Sequence, residues 1–381
     1  MAEGSRPPSV ASLAAASVAP QEKCTIQSRA RSHKPPTRWA TRIIPLFLLC
    51  VITFSSWTLT KPICVDFFFR RHENRKAIAF LVLHYVFFVL MLVSYGRTLY
   101  VVNYVPGLVP RLPKLGLKHF FTRNVFTCRS DGMPLWCHDC QNWKPERAHH
   151  SREIQRCVRK MDHYCPWAGG MIGETSFKFF IQFCSYASIY CGVCLSAAAY
   201  VTNRLVRGGA PTSTPAIVLI AVAGFFGLFA FTMAALSIRY ALLNLTNVEN
   251  LSGGDKVYQL AVRVPLDPDP SAEYIPSMVN GHETVVFPLA DPDFDGNRYI
   301  FLHSGAEAVN RPPPEHKFAL VKTDRGDNPW DTGSYYTNFT SVMGDMGPLD
   351  WLLPVRFSPC CAYNCDYPMG PVLKKLRERL E

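Results

Sequence analysis

The sequence predicts an all-α membrane protein whose four transmembrane helices carry a cysteine-rich, metal-binding segment between the second and the third. Three observations predict it. Apolar residues gather in four runs, 43–59, 77–95, 179–201 and 215–238, each close to the length a helix needs to cross a hydrocarbon core. Between the second and third runs, cysteines and histidines recur at short spacing from Cys137 to Gly173, as in a small metal knuckle. Inside that stretch an acid, an imidazole and a thiol stand together in Asp162-His163-Tyr164-Cys165, the ingredients of an activated nucleophile.

In chain order, residues 1–42 are rich in Ser, Ala, Pro and Arg. They offer nothing to build a core and are expected to be a disordered tail. They lack the charged start, short apolar centre and cleavage site of a secretory signal, so no cleaved leader is expected. The first run is the weakest, with Pro45 near its start, and the second is free of charge with His84 inside it. The third carries Gln182, Cys184, Cys191 and Cys194, and the fourth is the cleanest. The last two exceed 20 residues, which argues against buried helices of a soluble core. The expected divisions are a tail at 1–42, spans at 43–105, a cysteine-rich segment at 106–176, spans at 177–240 and a carboxy-terminal region at 241–381.

The net charge of +11 fits anionic lipid headgroups and soluble tails. Nucleic acid is not expected as a partner, because no basic patch interleaved with aromatics stands apart from the spans. Of the 14 cysteines, several fall within spans and the rest cluster at metal-ligand spacing, which fits a reducing compartment better than a disulfide framework. Arg38 and Arg42 precede the first span, although Arg70, Arg71, Arg75 and Lys76 make the following turn basic too. Residues 106–176 hold eleven Lys or Arg against two in the link 204–214. The excess places that segment, and with four spans both termini, in the cytosol.

The chemistry centres on Cys165. A thiol of ordinary pKa, about 8.5, is only slightly ionised at neutral pH and needs an activating neighbour. His163 can take the proton, and Asp162 can fix the imidazole's tautomer and stabilise its charged form. Pro166 restricts Cys165 to extended backbone, which helps to aim the thiol. Neighbours in sequence need not face one another, so the loop has to be folded by something outside it, for which the metal knuckle is the candidate. A competing reading makes Cys165 itself a metal ligand, with His163 as its partner.

The run Cys137-His138-Asp139-Cys140, Lys144-Pro145-Glu146-Arg147, His150, Cys157, Asp162-His163-Tyr164-Cys165-Pro166-Trp167 and Gly173 resembles, without gaps, the cysteine-rich domain of the DHHC protein S-acyltransferases (palmitoyltransferases). The resemblance implies an enzyme acting in two stages. Cys165 takes a long-chain acyl group from an acyl-CoA such as palmitoyl-CoA, then passes it to a cysteine of a membrane-associated protein. The acyl tail is then expected in a cavity between the spans, with Trp167 where the chain meets the active site. Lys144 and Arg147 are candidates for the CoA phosphates. The lipid bilayer is the remaining partner.

The resemblance also implies zinc. In the family two ions are each held by three Cys and one His. The first set maps onto Cys137, Cys140, His150 and Cys157, all present. The second maps onto Ser151, Ile154, Tyr164 and Met171, none a good zinc ligand. One structural zinc is therefore expected, with the second site replaced by a small packed cluster. A bond between the Tyr164 hydroxyl and Ser151 is one way to hold it. Some fungal members share the Asp-His-Tyr-Cys variant.

Beyond the fourth span, Thr246-Asn247-Val248-Glu249 is similar to a Thr-Thr-x-Glu motif that helps to hold the family's active-site loop. Asn328-Pro329-Trp330-Asp331-Thr332-Gly333 and the segment 338–344 look like its carboxy-terminal motif, with Trp330 and Phe339 as apolar anchors. Residues 251–327 contain short apolar runs, 284–289 and 299–302, that fit either strands or a loose insertion. Cys360, Cys361 and Cys365 before a short basic helix at 372–380 fit S-acylation of the chain itself. Two rival functions remain. One is a scaffold that kept the fold and lost activity, against which Asp162, His163 and Cys165 all stand. The other is a zinc-dependent transporter, whose spans should carry charged or His-rich pairs that the last two runs lack.

Overall fold

The computed structural model describes residues 38–111, 114–251, 256–265, 279–288 and 315–381. Most of the amino-terminal tail and the run 299–302 lie outside the described residues. Helix α1 (Arg38–Thr58) continues without a break through a wider turn, Leu59–Phe68, and a tight one, Phe69–Arg71. The widening contains Pro62, which has no N–H to continue the α-helical pattern. α2 (Asn74–Tyr104) runs back.

Among the described residues four helices are long and apolar enough to cross a membrane, with window hydropathies of 1.9, 2.5, 1.4 and 2.4. Each extends beyond the apolar run read from the sequence, because helix geometry outlasts the hydrocarbon and projects past it. A 31-residue helix such as α2 is about 46 Å long, against a core of about 30 Å.

The segment after α2 has little regular structure of its own. The short helix α3 (Lys118–Phe121) leads into β1 (Val125–Thr127). Three antiparallel hairpins follow: β2 (Trp136–Cys137) with β3 (Asn142–Trp143), β4 (His149–Ser151) with β5 (Arg156–Val158), and β6 (His163–Cys165) with β7 (Gly170–Ile172). Strands of two or three residues cannot hold themselves, so each hairpin depends on what crosses it or packs upon it.

The third span, α4 (Phe177–Arg207), is the axis of the bundle, packing on α2 and on α5 (Thr214–Leu242). It has the lowest hydropathy and the most burial, half of its apolar window against at most 22% elsewhere. A helix surrounded by protein can keep polar residues that lipid would reject. Ala197, Ala198, Ala216, Ala223 and Ala230 are buried in the shared core, small residues that let the helices approach closely.

After α5 comes α6 (Asn247–Leu251), then β8 (Gln259–Val264), β9 (Thr284–Pro288) and β10 (Glu315–Lys322). The last three join β1 in an antiparallel sheet of order β1-β8-β10-β9. Phe126 of β1 lies opposite Ala261, which also pairs with Leu320 of β10. One face of the sheet packs Ala261 and Phe318 with Phe120, Phe121 and Trp143. The other packs Leu260, Val262, Ala319 and Val321 against Leu376 and Leu380. The sheet therefore ties the carboxy-terminal region to the cysteine-rich segment, and 284–288 is a strand. The chain ends with α7 (Tyr335–Met343), α8 (Pro348–Leu352), a tight turn at Pro359–Tyr363 and α9 (Pro371–Glu378). Cys360 and Cys365 are buried beside Trp330 and Tyr367, which removes them from reach of acylation, whereas Cys361 is half-buried; of the three expected sites only Cys361 keeps exposure.

Candidate active site

Two hairpins, β2–β3 with its turn and β4–β5, build the metal site. Cys137 lies on β2, Cys140 in the turn, and His150 and Cys157 face each other across β4–β5. Their ligand atoms all lie within 4.8 Å of one another. His150 Nδ1 is 3.5, 3.3 and 3.9 Å from the sulfurs of Cys137, Cys140 and Cys157. A tetrahedral zinc with ordinary Zn–S and Zn–N bonds needs edges of about 3.5–3.8 Å, so the set fits. Asp139 approaches His150 Nε2 at 3.5 Å, the outer partner that orients a ligating imidazole.

Among the described residues no other group of three or more such side chains could hold a metal. In the second quartet Tyr164 pairs with Met171 across β6–β7. Ser151 Oγ donates to Glu153 Oε2 at 2.7 Å, so the expected bond to the Tyr164 hydroxyl is replaced by a local one.

The β6–β7 hairpin carries the acid, the imidazole and the thiol. Asp162 Oδ2 holds His163 Nδ1 at 2.7 Å. Its other oxygen accepts the backbone N–H of Asn247 at 2.8 Å. Burial pulls the pKa of His163 down, but hydrogen bonds to Asp162 and Cys165, and their negative charge, outweigh it and lift the pKa to about 9. The imidazole is therefore protonated at neutral pH, poised beside a buried thiol. The turn after Cys165 is held by Tyr95 of α2, whose hydroxyl donates to Trp167 O at 2.8 Å. At Gly170 a Cβ would lie 2.4 Å from Val102 of α2, so only glycine lets the hairpin seat against that helix.

Below Cys165 a cavity of about 230 Å³ opens between the spans. Its wall runs from Cys165, Trp167 and Phe180 past Phe183 and Ala187 to Tyr190 and Cys194. From Phe180 to Cys194 is about 21 Å along α4. The Tyr190 hydroxyl meets Ser56 Oγ at 3.1 Å, and His84 Nε2 meets the same oxygen at 3.1 Å. Trp167 stands at the mouth with its ring against Phe226 and Phe229 of α5.

A buried ionic brace holds the loop from behind. Arg147 donates from Nε and Nη2 to the two oxygens of Glu249 at 2.7 and 2.6 Å. It also donates to Asn244 Oδ1 and O, each at 2.8 Å, and lies over the Trp330 ring at 4.8 Å. Its side chain has no exposed surface, so Arg147 has no face to offer a CoA phosphate, which corrects that expectation. Lys144 is half-buried.

Thr246 and Glu249 bond each other's backbone N–H groups at 3.2 and 2.9 Å, a capping box that starts α6. Asn247 serves through its backbone N–H, so the departure from threonine there leaves the contact to Asp162 intact. Asn328 and Asn338 donate to Leu243 O and Leu242 O, each at 2.9 Å, satisfying carbonyls left open at the end of α5.

Sequence reasoning missed several supporting residues. Lys160 donates to Asn244 Oδ1 at 3.1 Å. Glu174 accepts from the Tyr367 hydroxyl at 2.6 Å and pairs with Arg159 at 3.1 Å. The contacts of Lys160 with Asn244 and of Glu174 with Tyr367 have no local signal, since the partners are 84 and 193 positions apart. The cavity wall was equally hidden, because an apolar face toward lipid and one toward a cavity read alike.

Together, fold and site define a class: an integral membrane protein that holds a thiol, beneath a metal knuckle, at the mouth of an apolar cavity. The model of the DHHC palmitoyltransferase family matches residues 131–253. The chain is 34% identical to palmitoyltransferase pfa5 of Aspergillus fumigatus, over 89% of each chain. It is 31% identical to palmitoyltransferase pfa5 of Emericella nidulans, over 88% of this chain and 85% of the relative. With palmitoyltransferase ZDHHC20 of Mus musculus it shares 28% identity over 50% of this chain and 57% of the relative. The chain belongs to the DHHC palmitoyltransferase family, and by that membership it is a protein-cysteine S-palmitoyltransferase.

Proposed function

We propose that the chain moves a long-chain acyl group, palmitoyl above all, from acyl-CoA to cysteines of membrane-associated proteins through an acyl-Cys165 intermediate. The observation that carries the reading is the Asp162–His163 pair, 2.7 Å apart, set beside Cys165 where the apolar cavity opens. The Cys165 thiolate attacks the thioester carbon of acyl-CoA, and the CoA thiolate leaves with the proton of the His163 imidazolium, which is left neutral. In the second stage the acceptor cysteine loses its proton to His163 and attacks acyl-Cys165, restoring the Cys165 thiolate. One thioester is made for each one broken, so the transfer needs no other energy source. The acyl tail occupies the cavity, where each buried methylene contributes about 0.8 kcal/mol. Lys144 is the candidate that remains for the CoA phosphates.

One zinc, held by Cys137, Cys140, His150 and Cys157, would supply structure rather than chemistry, fixing the hairpins that present Cys165. Residues 106–176 form the catalytic segment between spans at 43–105 and 177–240, flanked by the tail 1–42 and the region 241–381. That segment and both termini face the cytosol, where acyl-CoA and reduced thiols reside. Incubating the purified chain with palmitoyl-CoA tests the reaction: a hydroxylamine-sensitive acyl group should appear on Cys165. Undiminished labelling of Cys165→Ser would remove Cys165 as the carrier.

A further inference from the structure

Gln182 stood out in the sequence as a polar residue inside a span, and the acyl-transfer chemistry does not use it. It belongs to a row. Lys178, Gln182 and Tyr186 recur every four residues on α4 and so share one face, and all three are buried. Lys178 Nζ pairs with Asp350 Oδ1 at 2.8 Å. Gln182 Nε2 donates to Trp351 O at 2.8 Å, and the Tyr186 hydroxyl donates to Leu352 O. Three successive residues of α8 are thus stepped down about two turns of a transmembrane helix. Tyr186 is about 14 Å along α4 from Phe177, so this stretch of the carboxy-terminal region lies deep beside the bundle.

The hydrogen bonds say what surrounds it. The last carbonyls of a helix have no partner within the helix, and in water they would be hydrated. Non-helical backbone at membrane depth is tolerated only where protein groups satisfy it, and here α4 supplies those groups. Trp351 Nε1 closes the stretch by donating to Gly344 O at 2.9 Å. Gly344 has φ +117°, and a Cβ there would collide with Asp350, so the fold-back requires glycine. On the outer side Met346, Leu349, Leu352, Leu353, Val355 and Phe357 are exposed, Leu349 at 71% and Val355 at 68%. Arg97 of α2 spreads over the Phe179 and Phe357 rings at 5.2 and 4.9 Å. That is how a cation near a membrane surface covers apolar groups while its head reaches toward water.

We propose that residues 344–357 form a wedge embedded in the lipid leaflet, its outer apolar face covered by acyl chains. The face is continuous with the outside of the bundle, and its depth is fixed by α4. Phe180 and Cys184 of α4 line the cavity below Cys165, so wedge and thiol share one level of the membrane. The proposal goes beyond the transfer reaction and does not depend on it.

The test places the photoreactive residue p-benzoylphenylalanine, one site at a time, at Leu352, Val355 and Lys374 of the full chain. Lys374 serves as the water-facing control, its side chain being 83% exposed. Variants that elute as single species are reconstituted in palmitoyl-oleoyl-phosphatidylcholine vesicles and irradiated. Phosphatidylcholine adducts at 352 and 355, with none above background at 374, are expected. Peptide cross-links in place of lipid at 352 and 355, equal lipid yields at all three sites, or no lipid adduct at either wedge site would each overturn the wedge. Val355 meets the protein through its backbone oxygen, so replacing its side chain leaves the fold little to lose.

Discussion

His163 is a cation at neutral pH because its hydrogen bonds to Asp162 and Cys165, with the charge of the Asp162 carboxylate, outweigh its burial. Two consequences follow. In the transfer step, His163→Ala removes the proton carrier, and loading of Cys165 should slow by about 10²–10⁴. An unchanged loading rate at neutral pH would take His163 out of the mechanism. In stability, the folded pKa of about 9 stands above the ordinary value of about 6.5. The group's contribution is complete below about pH 6.5 and is lost as pH rises through about 9. Melting curves between pH 7 and 10 should show an alkaline decline that shrinks in the alanine variant. Arg147 answers a different question. Its removal leaves Glu249 buried and unpaired, so Arg147→Ala should destabilise the fold by about 3–5 kcal/mol. Thermal melts in detergent that match the parent would contradict the brace.

Among the elements, the hairpins are the weakest and the metal site is what joins them. Two of the three contribute ligands to the quartet; the third, which bears Cys165, contributes none and rests on α2 and Asn247 instead. Metal analysis should therefore return one zinc per chain, lost in Cys137→Ala; two ions per chain, or full occupancy in the variant, would refute the assignment. This was the best-marked part of the sequence, because ligand spacing is local and survives without knowledge of the fold. The spans were legible for the same reason, though their ends were not, since Lys178 is polar and still helical. The motif at 246–249 could be recognised as a motif, but not the reason for it. That Asn247 works through its backbone appears only when Asp162 is seen opposite.

Over the whole molecule, long-range pairing decides what could be read. β1 pairs with β8, whose residues lie more than 130 positions further on. No window of sequence contains both strands, and so 251–327 stayed ambiguous while the helices did not. The bundle puts the segment after α2, the start of α4 and the sheet formed by β8, β10 and β9 with β1 at one end. With the excess of Lys and Arg there, that end should face the cytosol. Acceptor sites for glycosylation engineered into either terminus, or into a loop of 106–176, should stay unmodified, and sugar at any one of them would reverse the topology.

The two oxygens of Asp162 are shared between His163 and the N–H of Asn247, and the brace behind them reaches Trp330 and Tyr367. Synthesis runs from the amino terminus, so all four spans and the metal ligands exist before residue 328 has been made. Of the contacts that hold the loop from behind, those of Arg147 with Glu249 and Asn244 exist by then, and the rings of Trp330 and Tyr367 come last. A chain still on the ribosome can be inserted and carry its knuckle while Arg147 lacks its covering rings and Glu174 lacks the Tyr367 hydroxyl. The packing that finishes the back of the site is thus supplied by residues made after every span and every metal ligand.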